Sequence, residues 1–117
     1  MNIDDLRKTQ IKLDEEIGFP VEFSDEKSKY NQITKDLVGL FGEIGEFSNI
    51  VKKINIKNEK KSDYDLDIDL AEELLKEEWV DCFIYLLRLS AILDINIEEA
   101  VLEKIKRNNV RYDKLKK

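Results

Sequence analysis

Apolar side chains recur every three or four positions along most of the chain, and the recurrence breaks in three places. Ile3, Leu6, Leu13 and Ile17 keep helical spacing behind Asn2, a suitable cap, and Gly18-Phe19-Pro20 stops the run. The first helix is therefore predicted over residues 3–17. A polar connector from Pro20 to Lys27 follows. Leu37, Leu40, Phe41, Ile44, Phe47, Val51 and Ile54 then share one face at helical period and predict a second helix from Ser28 to Ile56. The next stretch, IKNEKKSDYDLD, is rich first in lysine and then in aspartate and has no period, which reads as a mobile surface loop. The third helix, from Ile68 to Leu93, is apolar around most of its circumference: Trp79, Val80, Phe83, Ile84, Leu86, Leu87, Leu89, Ala91 and Leu93. Such a helix belongs at the centre of a fold. Its remaining polar groups, Glu78, Asp81, Tyr85 and Arg88, fall in one narrow strip. Asp94-Ile95-Asn96 ends it. Asn96 and Glu99 then form a capping box for a fourth helix over Ile97–Lys114, with Ile97, Val101, Ile105 and Val110 as its core side.

At 117 residues the chain fits one domain, residues 1–117, and the pattern makes it an all-α four-helix bundle. A composition 42% hydrophobic and 39% charged, with a single proline, suits amphipathic helices rather than a membrane protein or a disordered chain. The net charge of −6 argues against binding nucleic-acid polymers, whose backbones are gripped by clustered Lys and Arg. Cys82 stands alone, so no internal disulfide is available, and the lack of histidine removes imidazole ligation and His-based acid–base catalysis. The N-terminal residues lack a signal peptide's apolar core, and the longest apolar region, Trp79 to Leu93, is interrupted by Asp81 and Arg88. A soluble protein of a reducing, cytoplasmic setting is the expectation. No internal repeat at a fixed period is evident.

Two glutamates interrupt the second helix in LFGEIGEF, and the third helix repeats the same step in EEWVDCFIYLL. Residues three apart on a helix project from nearly the same side, so Glu43/Glu46 and Glu78/Asp81 are two pre-aligned pairs. Among 26 acidic residues such pairs arise readily and most are solvated. Glu78 and Asp81, however, lie on the helix expected to be buried, where charge must be neutralised. If the second and third helices pack antiparallel, four carboxylates meet, and a cation between them relieves their repulsion. Hard oxygen donors favour Mg²⁺ or Mn²⁺ over zinc. In the fourth helix, Lys104, Asn108 and Arg111 follow at i, i+4 and i+7, offering two cations and an amide to phosphate oxygens and a sugar hydroxyl. A basic helix end that merely complements the macrodipole is the competing reading.

GEIGEF, EEWVDCFIYLLRL and EKIKRNNVRY, in that order over about residues 36–113, resemble the signature of the MazG-like all-α nucleoside triphosphate pyrophosphohydrolases. The resemblance implies Mg²⁺-dependent hydrolysis of an NTP or dNTP between the α- and β-phosphates, releasing a monophosphate and pyrophosphate. Glu43, Glu46, Glu78 and Asp81 would hold the metal, and Lys104, Asn108 and Arg111 the phosphates and sugar. It also implies a homodimer or homotetramer, in keeping with the apolar girth of the third helix. Gly42 stands where many members carry a further glutamate, and the lysine-rich stretch lengthens the spacing between motifs. Phosphoribosyl-ATP pyrophosphohydrolase shares the same ligand set, and a non-catalytic helical nucleotide-binding module is the reading from another class. Trp79 reads as core, with stacking on a base as the competing reading, Cys82 as packing, and Tyr85 and Arg88 either as groups that reach the ligand or orient the acids or, for Arg88, as one half of an ion pair. Lys52, Lys53, Lys57, Lys60 and Lys61 read as solvated lysines, with steering of a triphosphate toward the site as the competing reading, and Phe19, Phe23 and Tyr30 are candidates for a wall beside the base.

Overall fold

The computed structural model describes residues 1–60 and 63–117, and Lys61 of the basic cluster lies outside them. Helix α1 spans Ile3–Ile17. Asn2 caps it by a reciprocal box with Asp5, and Gly18 closes it in the left-handed conformation at φ 86°. Helix α2 spans Glu26–Lys60, four residues beyond the predicted end. Loss of apolar period does not end a helix when no breaker follows. Lys-Asn-Glu-Lys tolerates helix, and Lys57 and Lys60 complement the dipole of the last turn. Part of the expected surface loop is therefore helical, and Lys57 donates from Nζ to the Tyr64 carbonyl at 2.7 Å.

Helix α3 spans Ile68–Ile92 behind the cap Asp67, and Asp94 at φ 53° turns the chain. Helix α4 spans Ile97–Arg111, with Asn96 accepting from the Glu99 N–H. It stops short of the expected Lys114. Past Tyr112 the backbone tightens into a 3-10 turn over Asp113–Leu115, a common ending for a helix terminus. Among the described residues all regular structure is helical.

The fold is an all-α four-helix bundle in which α2 and α3 form the closest pair. Asp36 meets Arg88, Gly39 meets Tyr85 and Glu43 meets Glu78, so the two run antiparallel. α1 lies across α3, and α4 touches the fold chiefly at α1. Arg7 fastens α1 to the end of α3 through the Ser90 hydroxyl and the Ile95 carbonyl.

The buried apolar core is small: Val21, Leu40, Ala71, Leu87 and Ile92. The expectation that α3 is enclosed is corrected here, because Trp79 is 59% exposed and Val80 and Leu86 are also open to solvent. Val101, Ile105 and Val110, the expected core side of α4, are likewise exposed, because among the described residues no second helix packs closely along that face of α4. The chain exposes 9194 Å², against about 6,600 Å² for a folded monomer of its mass. Its radius of gyration is 18.5 Å, where about 13 Å is usual for this length. No helix among the described residues is long and apolar enough to cross a membrane.

Candidate metal centre and the adjoining cavity

The antiparallel register of α2 and α3 places one carboxylate oxygen each from Glu43, Glu46 and Glu78 within 4.8 Å of one another. Glu46 is exposed and the other two are half-buried. One oxygen of Glu43 and one of Glu78 are fully covered and have no hydrogen-bond partner among the described residues. An ionised oxygen without water or a donor is costly, so the group relieves itself by taking up a proton or a cation. Glu78 shows the first response. Proximity to the Glu43 carboxylate, then burial and the carboxylate of Glu46, push it up to about 7. The orphaned oxygens and the all-oxygen donor set fit a hard divalent ion.

Asp81, one turn along α3 from Glu78, stands outside this trio and lines the adjoining cavity together with Glu43. Convergence thus involves three of the four expected carboxylates. Lys104, Asn108 and Arg111 ride on α4, whose main contact is α1, and the structure does not bring them to the trio within one chain. Lys104 and Arg111 are exposed, Asn108 is half-buried, and the Arg111 guanidinium lies 5.1 Å from the centre of the Tyr112 ring. Cys82 is half-buried, and burial first, then Glu43, Glu78 and Asp81, hold its thiol above the usual range.

The cavity encloses about 750 Å³ between α1, α2 and α3. Its floor is the most heavily bonded side chain among the described residues, Arg88. Arg88 donates from Nε and Nη2 to both oxygens of Asp36 at 2.9 and 3.3 Å, and from Nη1 to Asp14 at 2.8 Å. Its other two bonds go to the carbonyls of Phe19 at 3.4 Å and Pro20 at 3.1 Å. Together these satisfy all five guanidinium donors. The left-handed turn at Gly18 presents those two carbonyls, and a residue bearing a Cβ would adopt that φ only with strain. Burial works against the charged guanidinium, yet the hydrogen bonds of Asp14 and Asp36 outweigh it and raise Arg88 above its ordinary value. Of the two readings of Arg88, the ion pair is the one observed.

Two further residues complete the cage. Gln10 donates from Nε2 to Asp14 and Gln32 from Nε2 to Asp36, each at 2.9 Å. The sequence held a signal for this arrangement that periodicity does not detect. Gln10-Ile-Lys-Leu-Asp14 on α1 and Gln32-Ile-Thr-Lys-Asp36 on α2 are the same Gln-Ile-x-x-Asp pattern, which places amide and acid one turn apart on each helix. Tyr85 lines the cavity because Gly39 lets its ring lie against the α2 backbone, where an added Cβ would collide with the phenol. Of Phe19, Phe23 and Tyr30, only Phe19 lines the cavity. Trp79 instead pairs with Phe83, ring centres 5.5 Å apart, beside a shallow apolar pocket on the outer face.

No protein-family model, curated protein or solved structure gives a significant match to this chain.

Proposed function

We propose that the protein is a divalent-metal-dependent nucleoside triphosphate pyrophosphohydrolase of the MazG-like type, converting an NTP or dNTP and water to the monophosphate and pyrophosphate. The observation that carries this reading is the meeting of Glu43, Glu46 and Glu78, with two covered and unpartnered oxygens, at the edge of a cavity of nucleotide-binding size. Glu43, Glu46 and Glu78 would hold the ion, and Asp81, on the cavity wall, would face the nucleotide. When bound, Mg²⁺ or Mn²⁺ would offset the charge of the triphosphate and polarise the phosphorus under attack. A carboxylate of the cluster accepts the proton of the attacking water. The cavity beside the cluster would receive the rest of the nucleotide.

The excess exposed surface supports a homo-oligomer. About 2,600 Å² per chain lies beyond what a monomer of this mass exposes, enough for an obligate interface. Such an assembly covers Trp79, Val101 and Ile105, and it offers the route by which Lys104, Asn108 and Arg111 of a neighbouring copy approach the phosphates. Sedimentation equilibrium should therefore return at least twice 13.8 kDa.

Pyrophosphate release from a panel of NTPs and dNTPs, with and without Mg²⁺, tests the activity. Glu78→Gln should abolish release while leaving the helical circular dichroism unchanged. Full activity in that variant would remove the cluster from the mechanism. A non-catalytic nucleotide-binding module is the second reading. It is favoured by Gly42, which leaves the cluster one carboxylate short of the family pattern, and it predicts nucleotide binding without release.

A further inference from the structure

The metal chemistry proposed above makes no use of Gln10 and Gln32, although both line the cavity beside the carboxylates. Their placement is unusually well determined. Each carboxamide donates one N–H to an aspartate that is itself 3% exposed and held by Arg88. A carboxamide carries two N–H donors and an acceptor oxygen. After the bond to aspartate, each glutamine keeps one N–H and one carbonyl oxygen, with its rotamer already selected. Fixing a side chain in advance removes the ordering cost that otherwise weakens a polar contact. A carboxamide N–H and carbonyl oxygen are the groups with which glutamine reads a base edge. Glu43 and Asp81 belong to the wall of the same cavity, so a molecule whose phosphates sit at the carboxylates extends its other end toward the two amides. The cavity volume of about 750 Å³ lies within the range of small-molecule sites.

We infer that this cavity is the nucleobase subsite and that Gln10 and Gln32, splinted by the Asp14–Arg88–Asp36 cage, are the residues that discriminate between bases. The choice of ligand class rests on the nucleotide reading given above. If the amides served only to support the aspartates, replacing them would alter stability and leave base preference untouched.

The test titrates wild type, Gln10→Met and Gln32→Met with the four nucleoside 5′-monophosphates, and in parallel with inorganic tripolyphosphate in Mg²⁺, which has no base. Wild type should prefer at least one monophosphate by roughly tenfold, the worth of one good bidentate contact. Each variant should lose that preference and keep its affinity for tripolyphosphate. A second measurement needs no substitution: the side-chain amide resonances of Gln10 and Gln32 in the unaltered chain should shift on adding the preferred monophosphate and stay in place with tripolyphosphate. Unchanged preference in folded variants, stationary amide resonances, or no binding of any monophosphate by wild type would each overturn the inference. Base-selective binding through the glutamines with no pyrophosphate release from any triphosphate would instead support the subsite and remove the hydrolase reading.

Discussion

Replacing Arg88 by methionine tests the centre of the fold. Methionine keeps much of the length and volume but leaves Asp14 and Asp36, both buried, facing each other without a counter-charge. Adding five charge-assisted hydrogen bonds at about 1.5–3 kcal/mol each would put the loss near the whole stability of a small domain. That sum is too large, because the arginine also regains its hydration when the cage opens. Measured disruptions of buried ion pairs centre on about 3–5 kcal/mol, and that is the expected loss. Urea unfolding followed by far-ultraviolet circular dichroism, at one protein concentration to hold any assembly constant, measures it. Most of the loss comes from stranded charge rather than missing contacts, so adding Asp14→Asn and Asp36→Asn to Arg88→Met should restore a large part of it. If Arg88→Met alone unfolds within about 1 kcal/mol of wild type, the range of exposed ion pairs, the acids have reached water and the cage does not hold α1, α2 and α3 together.

Protonation of Glu78 couples the metal site to pH. Its value of about 7 lies above the ordinary carboxyl value of 4.5, so between these limits the folded protein binds a proton that the unfolded chain releases. Without metal, stability should therefore fall as pH rises through that window. Mg²⁺ affinity should rise across the same range, because binding expels the proton. Thermal unfolding in chelator from pH 4.5 to 8 and titration calorimetry in two buffers of different ionisation enthalpy read the two effects, and a flat response in both would contradict the clustered geometry. Gly39→Ala should displace the Tyr85 ring. The overpacking cost of about 1–3 kcal/mol exceeds the roughly 0.5–1 kcal/mol gained by removing a helical glycine, so urea denaturation should show net destabilisation. A more stable variant would mean that Tyr85 has another place to go.

What could be read along the chain was what depends on near neighbours. Asn2, Gly18, Asp94 and Asn96 are local signals, and the first and third helices end within one residue of the predicted limits because caps and turns act over a few residues. The Glu43/Glu46 step was legible for the same reason, since a helix converts a spacing of three into a shared side. Helix ends without a strong breaker were misplaced: α2 persists to Lys60 and α4 tightens after Arg111. The polar strip of α3 was also foreseen, and Glu78, Asp81, Tyr85 and Arg88 do face the other helices or the cavity.

Burial was not legible, because it depends on what stands opposite. Trp79 and Val101 are as apolar as any core residue, yet they are exposed in the single chain where no partner helix covers them. Composition and periodicity alone determined an all-helical chain with acidic pairs projecting from two of its helices. Only the packing of α1 and α2 against α3 decided that Glu43, Glu46 and Glu78 converge while Asp81 turns to the cavity, and that two separate Gln-Ile-x-x-Asp turns meet on one arginine. The physical reason is that helical spacing sets the direction of a side chain about its own axis, whereas the distance between charges on different helices is set by the register and crossing of those helices in space.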